Sequence, residues 1–115
     1  MKGHFSGNSP MIEVKIAEKT VTLLLDTGFN GQIMLPEGLI EQLQLDKVGV
    51  SEFITADGVA KETSVYRAKI LFLGDIIEVI VISTASHFSL LGMQLLGDCR
   101  IVIDRSNDIV EIAKD

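Results

Sequence analysis

From Met11 the chain alternates. Ile12, Val14 and Ile16 are apolar, and Glu13, Lys15 and the small Ala17 fall between them. A period of two puts one set on each face of a half-buried strand. A turn at Glu18-Lys19 leads into a second strand over residues 21–25, which ends in three leucines. Asp26-Thr27-Gly28-Phe29-Asn30-Gly31 follows; two glycines and an asparagine so close together turn the chain. A short strand over residues 32–35 then meets Pro36, which suits the first turn of a helix over residues 37–43.

Residues 50–56 and 59–70 read as strands around Asp57-Gly58. Asp-Gly between two such runs predicts a two-residue hairpin turn, because type I′ geometry needs positive φ at both central positions. A second hairpin joins residues 68–73 to 76–82 through Gly74-Asp75, and a polar loop covers residues 83–89. Leu90-Leu91-Gly92 comes next, then a short amphipathic helix over residues 93–96, then strands over 100–104 and 109–113 around Ser106-Asn107-Asp108. Residues 1–10 are polar, glycine-rich and end in Pro10, which predicts a flexible arm ahead of one domain over residues 11–115. The pattern gives a mostly β fold, a small closed barrel-like sheet with one or two short helices.

Composition narrows the chemistry. At 115 residues the chain can bury one core. Sixteen acidic residues against ten basic ones leave a net charge of −6, which argues against nucleic acid or an anionic membrane as partner. Cys99 is the only cysteine, and His4 and His87 are the only histidines. That excludes an internal disulfide, offers no zinc spacing, and leads us to expect neither metal nor cofactor. Cys99 reads more simply as a small core residue than as a nucleophile served by His87. The first ten residues lack the apolar stretch of a secretory signal, and no apolar run reaches the length of a membrane span. The expected setting is the cytoplasm.

One place breaks the local rules. In Leu23-Leu24-Leu25-Asp26-Thr27-Gly28 an acid stands at the end of an apolar strand. Burying a carboxylate is costly unless it is paired or hydrogen-bonded. Thr27 offers a hydroxyl, and Gly28 lets backbone N–H groups approach. The plain alternative is a turn in which Asp26 accepts from the backbone two residues on. Asp-Thr-Gly arises by chance in roughly one chain of this length in fifty, so the surrounding features must decide. Glu37, Glu41 and Asp46 read as a solvated face, and Asp75, Asp98 and Asp104 as turn or surface residues.

The ordered set of Leu24-Leu25-Asp26-Thr27-Gly28, the Asp57-Gly58 hairpin, and Leu90-Leu91-Gly92 before a helix resembles the retropepsin-like aspartic proteases over roughly residues 11–113. The resemblance implies that Asp26 is the catalytic aspartate and that Thr27 and Gly28 form the active-site loop and a dimer contact. It implies a flap at Ala56, Asp57, Gly58 and Val59. Phe29, Asn30, Ile54 and Leu91 would line the substrate cleft, and Leu90, Leu91 and Gly92 would support the catalytic loop. Viral members commonly follow Asp-Thr-Gly with Ala-Asp and place Arg after the later Gly. Here Phe29-Asn30 and Met93 occupy those positions, so both halves of that ion pair are neutral, which points to a cellular or prokaryotic branch.

A chain with one Asp-Thr-Gly supplies one carboxyl where the family's chemistry uses two. The resemblance therefore implies a homodimeric endopeptidase acting on an extended peptide or protein, with Asp26 of each copy meeting on a two-fold axis. The alternatives are a dimerisation or peptide-binding module of the same fold with little proteolytic activity, and a monomeric barrel binder in which Asp26 is only a turn residue.

Overall fold

The computed structural model describes residues 1–54 and 57–115. Among them the order is β1 (His4–Ser6), β2 (Ser9–Ile16), β3 (Lys19–Leu25), β4 (Ile33–Pro36), α1 (Glu37–Leu43), β5 (Asp46–Ile54), β6 (Ala60–Phe72), β7 (Asp75–Thr84), β8 (Leu90–Leu91), α2 (Met93–Leu96), β9 (Cys99–Asp104) and β10 (Ile109–Lys114). Eight strands make one sheet in the order β1-β2-β3-β8-β4-β7-β6-β5, and β2 also pairs with β6 through Lys15–Leu71 and Ile16–Ile70. That extra pairing closes a ring of β2, β3, β8, β4, β7 and β6. The fold is the mostly β, barrel-like one that the alternation predicts.

The apolar half of each alternating strand fills the ring. Ile12, Val14 and Ile16 of β2 meet Leu23 of β3, Ile33 and Leu35 of β4, Ile70 of β6, Val79 and Val81 of β7 and Leu91 of β8, all buried. Helix α1 packs beside β4 and β7 through Ile40 and Leu43, which lie one turn apart on its inner face. Pro36 sets its start at φ −58°. Gln44 ends it in the left-handed region at φ 54°, and the N–H groups of Gln44 and Leu45 return to the carbonyls of Glu41 and Ile40.

Residues 1–10 are not the loose arm expected from their composition. Gly7 and Asn8 turn β1 back along β2, pairing Phe5 with Pro10 and His4 with Met11. Residues 1–3 continue to the far end of the chain and bridge β10: Lys2 opposes Glu111, Gly3 N–H donates to the Val110 carbonyl at 2.7 Å, and Ile112 N–H donates to the Met1 carbonyl at 2.8 Å. Arg105 fastens the two turns together, standing 4.8 Å over the Phe5 ring and donating to Asn8 Oδ1 at 3.2 Å. Polar composition marked the turn but could not show a partner strand a hundred residues away.

Two turns also differ from the sequence reading. The β2–β3 turn is Ala17-Glu18, both at positive φ, one residue earlier than Glu18-Lys19. The β5–β6 hairpin closes at Ile54–Ala60, so five residues connect it, not a two-residue type I′ turn. Among its described residues Gly58 has positive φ, at 82°, and Val59 N–H donates to Asp57 Oδ1 at 3.3 Å.

Candidate active site

The topology builds the site. Strand β8 lies parallel to β3 (Leu24–Leu90, Leu25–Leu91) and antiparallel to β4 (Ile33–Leu91, Met34–Leu90). The segment 26–32, which joins β3 to β4, must therefore arch over the end of β8. Backbone bonds staple it in place. Asp26 N–H donates to the Leu91 carbonyl at 3.0 Å, and Gly92 N–H donates to the Gln32 carbonyl at 2.9 Å. Met93 N–H reaches the Phe29 carbonyl at 2.8 Å and Gln94 N–H the Gly31 carbonyl at 3.1 Å. The first N–H groups of a helix have no partner inside it, and those of α2 are satisfied by this loop.

The interlock requires Gly92. Its backbone is extended at φ −108°, open to any residue. A Cβ there, however, would stand 2.5 Å from Phe29 Cδ2, 2.7 Å from the Phe29 carbonyl oxygen, and closer still to that of Gly31. The Phe29 ring also lies over Gly31, whose Cβ would meet Phe29 Cζ at 2.6 Å. Phe29 thus fills the space between two glycines, a packing role that its position after Asp-Thr-Gly did not suggest.

Asp26 sits half-buried at the start of the arch. Its Oδ1 accepts the Gly28 N–H at 2.9 Å, and its carbonyl accepts the Phe29 N–H at 3.2 Å. Thr27, Gly28 and Asn30 are exposed. A groove of ≈ 480 Å³ runs from Phe29 and Met34 across to Ser51 of β5 and Thr63 of β6, with Glu37 and Ile82 along it. Thr63 Oγ1 donates to the Ser83 carbonyl at 2.7 Å and lies 3.0 Å from the buried Ser83 Oγ, tying the hairpin to β7. The Asp57-Gly58 turn is at the end of that hairpin.

The structure brings Asp26, Thr27, Gly28, Phe29, Leu90, Leu91 and Gly92 together, and Phe29 faces the groove. Leu91 does not line it: the side chain is fully buried in the ring, because β8 is an inner strand. Its contribution is to the support of the loop. Ile54 pairs with Ala60 at the hairpin end, and Ala56 lies outside the described residues. Sequence reasoning gave Gly31 only a turn and Met93 only a neutral replacement, and it did not single out Gln32, whose Oε1 accepts the Ile80 N–H at 2.7 Å and anchors the arch to β7. A second glycine three residues after Asp-Thr-Gly was the available signal for Gly31.

Other candidates separate from the site. Burial, with Asp98 and Asp115 nearby, pushes the Cys99 thiol up, opposite to what a nucleophile needs. Among the described residues no group of three or more His, Cys, Asp or Glu side chains suits a metal ion, and no helix is long and apolar enough to cross a membrane.

Comparison with known proteins agrees with this geometry. The sequence profile of the family described as "gag-polyprotein putative aspartyl protease" matches residues 12–98. Among solved structures, a retropepsin-like aspartic protease from Rickettsia conorii superposes with a TM-score of 0.71 at 17% identity, over 96% of this chain and 86% of that one. EIAV protease, in an inhibitor complex, gives 0.66 at 20% identity over 84% and 95%. Simian foamy virus (mac) protease gives 0.60 at 20% identity over 76% and 91%. No curated protein sequence matches the chain.

Proposed function

This chain belongs to the gag-type, retropepsin-like aspartyl protease family, and from that premise we propose that it is a homodimeric aspartic endopeptidase whose catalytic dyad is Asp26 and Asp26 of the partner subunit. The observation that carries the reading is the stapled arch. It holds a half-buried Asp26 at the end of β3, and Phe29 of the same arch lines a groove that runs on to β5 and β6. A turn residue needs none of that bracing.

Two carboxyls brought together cannot both ionise, so the pair shares one proton. The ionised member takes a proton from a bound water, whose oxygen attacks the scissile carbonyl carbon. The protonated member donates to the carbonyl oxygen, giving a neutral tetrahedral diol. Collapse then breaks the C–N bond as the protonated member gives its proton to the departing amine and the ionised member takes one diol O–H proton, leaving a carboxylic acid and a dyad that again holds one proton. The backbone bonds to Leu91 and Gly28 keep Asp26 from swinging away, which is the preorganisation such chemistry requires.

The test is Asp26→Asn with a peptide library. The amide keeps the size of the side chain and its bond from Gly28 but cannot act as base or acid. Cleavage should vanish while the fold and dimerisation persist. Full activity in the Asn variant would refute the reading. A wild-type dimer that binds peptides without cleaving them would support the binding module instead.

A further inference from the structure

We propose that the outer face of β6, with its neighbours β2 and β7, docks an acidic amphipathic helix of a partner protein. Apolar side chains of that helix seat on either side of Leu71, and its carboxylates meet Lys15 and Lys69. The surface is separate from the arch. Lys15 opposes Thr20 near the start of β3, whereas Asp26 follows the last residue of that strand, roughly 20 Å away along it.

Alternation assigns the face. Val14 and Ile16 of β2, Ala68 and Ile70 of β6, and Val79 and Val81 of β7 are buried in the ring, so the residues between them point outward. Register sets those residues in three rows. Lys15 opposes Leu71, and Leu71 opposes Ile76; Lys69 opposes Glu78; Arg67 opposes Ile80. A sheet face turned to water carries polar residues at such positions. Here Ile76 is 74% exposed, Leu71 43% and Ile80 42%. Apolar side chains gathered on one face and bordered by charge mark a contact surface.

The shape of the face selects a helix. Two clefts of ≈ 290 Å³ each have Lys15 and Leu71 as shared walls; Ile76 borders the first and Leu73 the second. Leu71 is thus a ridge between two seats of side-chain size, and a bilayer has no side chain to place in them. An extended segment would lay unpaired N–H and C=O groups on a face whose own backbone bonds lie within the sheet. A helix satisfies its backbone internally and presents side chains at i and i+4 about 6 Å apart, one to each side of such a ridge. A second copy cannot supply that helix, because α1 buries Ile40 and Leu43 in its own core and α2 is a single turn.

Charge sets the sign of the partner. Lys15 lies across from Leu71 and Lys69 beside it on β6, and among the described residues neither lysine is in an ion pair. Glu78, which opposes Lys69, stands instead 3.7 Å from the Arg67 guanidinium. The lysine stems add apolar wall to the clefts while their ammonium groups stay free to meet a carboxylate. Glu18 borders the first cleft and Glu13 the second, so the carboxylates of the helix belong at its middle, over the two lysines, and not at its ends.

The test is fluorescence anisotropy with the full chain carrying Asp26→Asn, so that no probe is cut. The probe is a fluorescein-labelled helical peptide with leucines at i, i+4 and i+7 and glutamates at its middle; its counterpart has lysines in place of the glutamates. The acidic probe should bind about tenfold or more tightly than the basic one. Lys15→Glu with Lys69→Glu should reverse that order, and Leu71→Ser with Ile76→Ser should weaken the acidic probe about tenfold. With Asp26 intact, both double variants should cleave peptides as the wild type does, since neither touches the arch. Equal binding of the two probes, no binding of the acidic probe at about 1 mM, or binding that survives both double variants overturns the proposal. Phosphatidylserine vesicles bound in preference to the acidic probe, or a self-association that the double variants abolish, overturns it in favour of a membrane or of a second copy. Anisotropy needs no activity, so a wild type that cleaves nothing refutes the protease reading and leaves this surface standing.

Discussion

Gly92→Ala is the sharpest probe of the arch. The backbone at Gly92 is extended, so the cost is steric, not conformational. The new methyl would lie 2.5 Å from the Phe29 ring and 2.7 Å from the Phe29 carbonyl oxygen, and would press on the Gly31 carbonyl as well. The ring can swing aside, but the carbonyls cannot retreat freely, because they accept from Met93 and Gln94 at 2.8 and 3.1 Å. Overpacking of this kind costs about 1–3 kcal/mol, and losing one of those bonds adds roughly 1 kcal/mol. A total near 3 kcal/mol is a large share of the 5–15 kcal/mol typical of a domain, and corresponds to a melting temperature lower by about 10 °C. Activity should fall further than stability, because a shift of the arch by about 1 Å misplaces Asp26 at a cost of ~10²-fold. The assay is urea and thermal unfolding together with peptide cleavage well below the melting temperature. Gly97→Ala is the control: Gly97 is right-handed helical at φ −57° with only a 3.4 Å approach to the Met93 carbonyl, and should be neutral or slightly stabilising. If Gly92→Ala melts within about 2 °C of wild type and cleaves at the same rate, the interlock does not hold the site.

Three further outcomes follow from the same geometry. A methyl at Gly31 would meet the Phe29 ring first, so Gly31→Ala should destabilise by about 1–2 kcal/mol, and a double-mutant cycle with Phe29→Ala should show that cost largely relieved once the ring is gone; additive effects would refute the packing. Gly58→Val strains a positive-φ position with open space around it, so it should raise KM or lower kcat while the unfolding midpoint moves little; outright unfolding would make the hairpin end part of the core. The hydrogen bonds from Asn107 and Ser106 hold the Asp104 carboxyl below the ordinary aspartate range. A depressed folded value favours the native state above the unfolded pKa and loses that preference as pH falls through the folded one. Protection of the Asn107 amide, its exchange rate taken relative to the intrinsic rate at each pH, should accordingly fall only at acidic pH, and Asp104→Ala should abolish that step.

Legibility in the sequence followed how local each cause is. Helix α1 was readable to the residue, since Pro36 fixes its start and Ile40 and Leu43 its buried face. The Asp26-Thr27-Gly28 loop and its Leu90-Leu91-Gly92 support were readable because apolar strands run straight into glycine. The first turn hid because Ala17 and Glu18 adopt positive φ without glycine. Strand β5 begins earlier than expected, as residues 46–52 are all exposed and offer no alternation. The placement of Leu91 in the cleft failed for a topological reason: no pattern along the chain shows that β8 slides between β3 and β4.

That insertion has a temporal consequence. On the ribosome, residues 1–84 emerge with every strand of the ring except β8, and so with a gap between β3 and β4 where Leu90 and Leu91 belong. At roughly 5–20 residues per second, several seconds pass in which Asp26 has been synthesised but its arch has nothing to rest on. The arch around Asp26 can close only once about four-fifths of these residues have been made, so on the reading proposed above a growing polypeptide carries Asp26 without the bracing that cleavage requires, and the order in which its strands arrive delays the activity.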